Sequence, residues 1–395
     1  MINMAKNVLI GPSDALSAPE VAWSLVNYGF EVTAFSVRGR RSSLEKIKEI
    51  SFVFITDPEI DAYQSLEDLG NVIIKGNFAI FLPLTDFAVW MYSKLSHILP
   101  YLEYSVSNDS VDLTIDKWKQ IELAVKSGMF VPETLCCNSS DEALSNSYYP
   151  CFVKSSVAVG ISEGKLLRDP CYVCGCQDEF KHVVARWDFS RPMLIQPCLT
   201  GRGEGVFGLA TDTEINWWSA HRRIRMMNPQ GSGSSACEAI VPDSSVLPAI
   251  QRFLLSNSWK GIFMIEFLRD DDGKLWFMEI NGRAWGSMAL ARRGGYEYPA
   301  WMVQSLLDLN FKPAIPSPVL PLRCRHLGRE LIHLLLVIKG PKSTKAVPSW
   351  PSFWKTLRDM LTWRSYDHWY NWNSKYPAVF WRDSFLSVYR AVFKK

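Results

Sequence analysis

In FMIEFLRDDDGKLWFMEINGRAWGS, residues 263–287, two glutamates lie in what reads as one β-hairpin. Asp272-Gly273 suits a two-residue type I′ turn, whose central residues both need positive φ. Pairing Asp271 with Lys274 and counting outward sets Glu266 opposite Glu279, with both side chains on one face. The other face then carries Phe263, Ile265 and Phe267 beside Trp276, Met278 and Ile280, an apolar surface for a core. Cross-strand Cβ atoms lie about 5 Å apart, where two carboxylates repel by about 3 kcal/mol at an effective dielectric near 20. Protonation of one acid, a neighbouring Lys or Arg, or a divalent cation sharing both would offset that repulsion. An exposed hairpin with solvated glutamates is the plainer alternative. Asn281, on the same face as Glu279, adds a neutral oxygen and favours the metal, and Arg283 beyond it can reach an anion held by that metal.

No comparable constellation stands elsewhere. CYVCGC, Cys171 to Cys176, has the look of half a zinc site, but no second Cys or His pair follows at finger spacing, so these read as thiols. GPSDAL lacks the three spaced glycines of a dinucleotide fingerprint. No Ser-His-Asp or Cys-His arrangement emerges, and His221 reads as a structural or phosphate-side residue rather than a base. The net charge of +3 over 395 residues, with no long basic run, gives no footprint for nucleic acid. Nine cysteines, no secretory h-region and no apolar run long enough for a transmembrane helix lead to the expectation of reduced thiols in a cytoplasmic protein.

The elements that must position the hairpin read in blocks. VLIGP, then DALSAPEVAWSLVNYG and EVTAF, give strand, helix and strand, and SFVFIT (51–56), NVIIK (71–75) and FAIFLPL (78–84) read as further buried parallel strands, so the first hundred residues read as doubly wound. Asp116 is the expected N-cap of a helix ending at Gly128. PCFVKSSVAVGISEGKLL reads as strand, small-residue loop and strand, and MLIQPCLTGRGEGVFGLA as a strand broken at Gly201 with a second starting near Val206. EINWWSAHRRIRMM puts Arg223 and Arg225 on one face and Arg222 on the other. NPQGSGSS reads as a loop and VLPAIQRFLLSNSW as a helix. After Pro313 a proline-rich link leads to a stretch dense in Trp and Tyr, whose last helix aligns Trp381, Phe385, Tyr389 and Val392, with Arg382, Arg390, Lys394 and Lys395 as charge. That helix either docks on its own core or meets a membrane surface or protein partner.

The order of features, DK before a helix, VP-x-T, P-x-x-VK, an IQ-x-x-L-x-G strand, an arginine strand and two glutamate strands ending EINGR, resembles the ATP-grasp superfamily. The resemblance covers roughly residues 5–305 and is nearest to the carbamoyl phosphate synthetase and biotin carboxylase-like branch of carboxylate-amine ligases. It implies an α/β (α+β) fold: a doubly wound pre-ATP-grasp domain over 1–110, an ATP-grasp domain of two subdomains over 111–312, and an aromatic-rich, mainly helical C-terminal extension over 313–395. It further implies that Glu266, Glu279 and Asn281 hold Mg²⁺, with Mn²⁺ as a substitute, against the phosphates of ATP. Lys117 and Lys154 would contact those phosphates. Gln196 and the main chain at Cys198 and Leu199 would hold adenine, and Glu204 the ribose. Arg283, with Arg223 and Arg225, would clamp the transferred phosphoryl or a substrate carboxylate. The loop SSVAVGISEG is poorer in glycine than the phosphate lid usual in that superfamily.

The implied activity is ATP-dependent joining of a small-molecule carboxylate to an amine through an acyl phosphate, with an amino acid joined to a sugar acid or to another amino acid as an example. Two alternatives stand beside it: a catalytically weak nucleotide-binding scaffold, and a ligase using bicarbonate or a thiol. Small-molecule substrates are the expected partners, a homo-oligomer is compatible, and the tail is free for peripheral membrane or protein docking.

Overall fold

The computed structural model describes residues 7–103, 108–211, 214–341 and 350–393; Lys394, Lys395 and residues 1–6 of the N-terminal reading lie outside them. Strands β1 (Asn7–Gly11), β2 (Glu31–Val37), β3 (Ile50–Ile55) and β4 (Ile80–Pro83) form a parallel sheet in the order β3-β2-β1-β4. The helix Ala18–Asn27 between β1 and β2 gives way at Gly29, whose φ of 83° suits a residue without Cβ. NVIIK, expected as a strand, is instead the end of the helix Ala62–Gly76. Asp61 caps that helix by accepting from the Tyr63 and Gln64 N–H groups, Ala62, Ser65, Leu69 and Ile73 fill one buried face, and Asn77 closes it at φ 52°. A short apolar run has no period of its own, so the cap and spacing upstream decide.

The helix Lys117–Lys126 starts as expected, with Asp116 accepting from the Lys119 N–H at 3.0 Å. Next come β5 (Leu135–Cys137), β6 (Cys151–Ser155), β7 (Gly160–Ser162), β8 (Lys165–Leu167), β9 (Tyr172–Cys174) and β10 (Met193–Pro197). Of these, β5-β10-β6-β9 form one antiparallel sheet, while β7 and β8 make a hairpin within the stretch after Lys154.

The remaining strands, β11 (Arg202–Ala210), β12 (Ile215–Asn228), β13 (Ser232–Ile240), β14 (Gly261–Arg269), β15 (Leu275–Asn281), β16 (Arg323–Arg325) and β17 (Asp367–Trp369), build a seven-stranded sheet ordered β15-β14-β11-β12-β13-β16-β17. Of the stretch expected as a glycine-serine loop, residues 229–231 are the turn after β12, and the second half, from Ser232, is the start of β13. Ladders to β12 on one side and β16 on the other outweigh the poor strand propensity of its residues. β11 likewise begins at Arg202, directly after the break at Gly201, rather than near Val206. Residues beyond Pro313 thus supply the last two strands on one side of this sheet, with β17 at its edge.

On one face of the sheet Phe263, Ile265, Phe267, Phe277 and Ile280 pack with Phe253 and Leu254 of the helix Leu247–Ser256. On the other, Phe207, Leu209, Ile262 and Met264 meet Trp285, Tyr298 and Leu82 of β4. The second face, where the first sheet abuts the large one, carries the chemistry described next.

Candidate functional site

Glu266 pairs with Glu279 across β14 and β15, by a route that differs from the sequence reading. The turn is the longer loop Asp271-Asp272-Gly273, closed by the Gly273 N–H donating to the Asp270 carbonyl at 3.1 Å with Gly273 at φ 84°. A bulge between Glu266 and Phe267 then restores the register. As a consequence Leu275 and Phe277 face the core in place of Trp276 and Met278, and Trp276 lies outside under the Lys274 ammonium, 3.8 Å from its ring. The Asn281 amide donates to Glu279 at 3.3 Å.

Around the two carboxylates four cations converge. Arg223, on β12, reaches across β11 to pair with Glu266. Two glycines of GRGEG leave room on β11, Gly203 for Arg223, whose Cδ would lie 2.7 Å from a Cβ there, and Gly205 for His221, whose Nε2 would lie 2.9 Å from one. Lys117, the first residue of its helix, stands 3.9 Å from Glu279. Lys154 comes from β6, and Arg283 holds Asp86 at 2.5 Å, with Arg168 at 3.8 Å from the same acid.

The electrostatics follow from this arrangement. Burial, with Glu279 adding to it, raises the Glu266 pKa against the pull of Arg223. Burial works the same way on Glu279, yet Lys117 and Lys154 outweigh it and hold that carboxyl below its usual range. Asp86 is held low in the same manner by Arg283 and Arg168. Burial, with Lys117 beside it, pushes Lys154 down to about 8. Burial and Arg223 push His221 down to about 3, so its imidazole is neutral; Nδ1 shares a 2.9 Å hydrogen bond with the Ser287 hydroxyl. Repulsion between the facing acids is therefore offset in this state by lysine and arginine, the second of the three remedies named above.

Among the described residues no group of three or more His, Cys, Asp or Glu side chains is placed to hold a metal ion. The donors at this site are two carboxylates and the Asn281 amide oxygen, hard ligands of the number that Mg²⁺ takes when phosphate supplies the remainder. The site fits a cation brought with a phosphate ligand and does not form an all-protein cage.

Other expected residues fall differently. Gln196 is buried and donates to the Thr134 hydroxyl at 2.8 Å, while the Cys198 and Leu199 N–H groups donate to the Pro150 and Pro197 carbonyls at 3.2 and 3.0 Å. Glu204 is a correction. It pairs with Phe267 where Gly205 pairs with Glu266, so its side chain projects from the opposite face, held at 3.0 Å by both Arg222 and Arg269. Arg225 is another: bulges after Arg223 break the alternation, and its guanidinium pairs with the buried Glu330 of the helix Leu327–Lys339. Asp86 and Arg168 were not foreseen. For Asp86 the available signal was its place just past the C-terminal end of a parallel strand, where doubly wound sheets present ligand-facing groups. The stretch after Lys154 is tied down on both sides: the Lys117 N–H donates to the Ser156 carbonyl at 2.7 Å, and the Ala62 N–H to the Gly164 carbonyl at 2.8 Å. Cys171 is exposed and Cys174 buried, and CYVCGC forms no metal grouping among the described residues.

No family model and no curated protein sequence matches the chain. Solved structures do match. An L-amino acid ligase from Bacillus licheniformis aligns at TM-score 0.62 and 14% identity, covering 80% of this chain and 78% of that one. Biotin carboxylase from Campylobacter jejuni, solved with β,γ-ATP, aligns at 0.64 and 13%, covering 80% and 74%. The ADP complex of purK, an N5-carboxyaminoimidazole ribonucleotide synthetase, aligns at 0.64 and 11%, covering 90% and 95%. These neighbours are ATP-grasp ligases, and at such identities what the chain shares with them is the fold.

Proposed function

With an ATP-grasp fold as the premise, we propose that the protein is an ATP-dependent carboxylate-amine ligase. The observation that carries the reading is the gathering of Lys117, Lys154, Arg223 and Arg283 around the facing Glu266 and Glu279, a charge pattern matched to a polyphosphate and its cation. Glu266, Glu279 and the Asn281 oxygen would hold Mg²⁺ or Mn²⁺, which when bound supplies charge neutralisation at the phosphates. Lys117 and Lys154 bind and orient those phosphates. The end of β10, with Gln196 and the main chain at Cys198 and Leu199, receives adenine once its short internal hydrogen bonds exchange for bonds to the base. Nucleotide lies between the two subdomains of residues 111–312, beside the domain of residues 1–110, and residues 313–395 extend the second unit through β16 and β17.

In the reaction a substrate carboxylate oxygen bonds to the terminal phosphorus of ATP as the bond to the ADP oxygen breaks, leaving an acyl phosphate. An amine nitrogen then attacks the acyl carbon, phosphate departs with the carboxylate-derived oxygen, and the amine loses a proton. Arg283 orients the carboxylate or the transferring phosphoryl group with a planar fork that stays charged, and Arg223 balances Glu266 beside it. Positioning and charge carry the catalysis, with no side-chain nucleophile. An amino acid joined to a sugar acid or to a second amino acid fits this chemistry.

The tied-down stretch after Lys154 favours a second reading, a nucleotide-binding scaffold of low turnover. The discriminating experiment measures ADP release with panels of carboxylic acids and amines, and hydroxamate formation when hydroxylamine replaces the amine. Ligation requires ADP release that depends on an acid and a trapped hydroxamate. Nucleotide binding without either product would leave the scaffold.

A further inference from the structure

Every exposed tryptophan among the described residues, Trp354, Trp363, Trp372 and Trp381, lies in the C-terminal extension. Three helices there, Leu327–Lys339, Phe353–Leu361 and Pro377–Phe393, form a layer in which the first packs against each of the others and against β12 and β13. Close packing is visible at Gly328, where a Cβ would sit 2.6 Å from the Ser384 carbonyl oxygen. The outward sides of these helices are apolar. On the last helix Trp381 and Phe385 are 62% and 63% exposed, and the rings of Phe385, Tyr389 and Phe393 follow one another at 6.0 and 5.3 Å. Leu331, Leu335 and Ile338 form an exposed stripe at helical spacing on the first. On the middle helix Trp354 is 75% and Leu361 76% exposed, with the exposed Arg358 between them and Lys355 alongside.

Among the described residues of this layer Lys339, Lys355, Arg358 and Arg364 are exposed, whereas Lys375, Arg382 and Arg390 are paired with Glu49, Glu45 and Asp14 from the N-terminal part of the chain. Residues 327–395 hold four Asp and Glu of their own. Of the four acids, Glu330 and Asp367 are buried, Asp383 is hydrogen-bonded to His326 and Asn371, and Asp359 alone is exposed. We propose that the outer side of this helical layer docks on an anionic lipid bilayer, with the aromatic side chains at the headgroup boundary and Lys339, Lys355, Arg358 and Arg364 against lipid phosphates.

Aromatic and aliphatic side chains interleaved with cations are the composition of an interfacial surface. A second copy of the same chain suits it poorly, because a face-to-face dimer would bring four exposed cations of each copy together with only Asp359 as an exposed acid. The inference rests on residues away from Glu266 and Glu279, so it stands or falls separately from the ligase reading.

The test is co-sedimentation of the full chain with vesicles of phosphatidylcholine alone and of an equimolar phosphatidylcholine–phosphatidylglycerol mixture. Binding to the mixture should exceed binding to phosphatidylcholine by at least about tenfold and weaken with salt. Replacing Trp381→Ser together with Phe385→Ser should lower it by about tenfold or more, with the circular dichroism and ADP release unchanged. Equal partition onto both vesicle types, or undiminished binding by the double variant, would overturn the proposal. So would self-association in sedimentation equilibrium that the double variant abolishes.

Discussion

Replacing Lys154 by Met separates what the site costs the fold from what it gives the ligand. The ammonium sits half-buried on β6, with Lys117 disfavouring its charge and Glu279, Cys171 and Glu266 supporting it more weakly, so its folded pKa is about 8 against an ordinary 10.5. A base whose folded pKa is depressed destabilises the folded state at any pH below both values, and the cost fades as pH rises from about 8 toward 10.5. The full shift corresponds to about 3 kcal/mol, reduced to roughly 1–2 kcal/mol for a side chain that is partly screened by water. Lys154→Met should therefore raise the stability of the nucleotide-free protein at pH 7 by about that amount in urea denaturation. The same variant should bind MgATP about 10–100-fold more weakly, the worth of one charge-assisted contact. In the parent, the protonated fraction falls from about nine-tenths at pH 7 to about one-tenth at pH 9, so nucleotide affinity should drop roughly ninefold across that interval. Titration calorimetry at the two pH values reads this directly. A destabilised Lys154→Met protein that binds nucleotide as well as the parent, or an affinity flat from pH 7 to 9, would refute the reasoning.

Three further substitutions probe the surroundings. Gly203→Ala places a methyl 2.7 Å from the Arg223 Cδ; the flexible arginine gives way, so stability should change by less than about 1 kcal/mol while steady-state turnover falls about tenfold or more. Glu204→Gln removes the acid held by Arg222 and Arg269, and should cost about 2 kcal/mol in urea denaturation with nucleotide affinity unchanged. Arg283→Lys keeps the charge but loses the fork, so acid-dependent ADP release should fall at least about tenfold while MgATP affinity holds.

The facing of Glu266 and Glu279 was legible because apolar alternation on the strands specifies which face each acid takes. It emerged through two compensating departures, a longer turn and a bulge, neither of which the dipeptide Asp272-Gly273 distinguishes from a tight turn. The parallel sheet was legible from its β-branched runs, whereas NVIIK was not, since its helical state depends on the Asp61 cap and a buried face set upstream. Arg225 misled because alternation along a strand holds only between bulges, and Glu204 because it reads as a residue before the strand near Val206, whereas β11 already runs from Arg202 and its register turns Glu204 to the opposite face. Asp86 and Arg168 could not be read from spacing, because their meeting with Arg283 is made by tertiary packing across more than a hundred residues of chain. The openings at Gly203 and Gly205 likewise have meaning only once Arg223 and His221 lie over them.

The central claim, that Glu279 and its partner receive a cation carried by nucleotide, is tested most directly by calorimetric titration of a non-hydrolysable ATP analogue with and without Mg²⁺, in the parent and in Glu279→Gln. The parent should bind the analogue at least about tenfold more tightly with Mg²⁺, and the variant should lose most of that gain while still binding the metal-free nucleotide. An equal Mg²⁺ enhancement in both proteins would contradict the assignment.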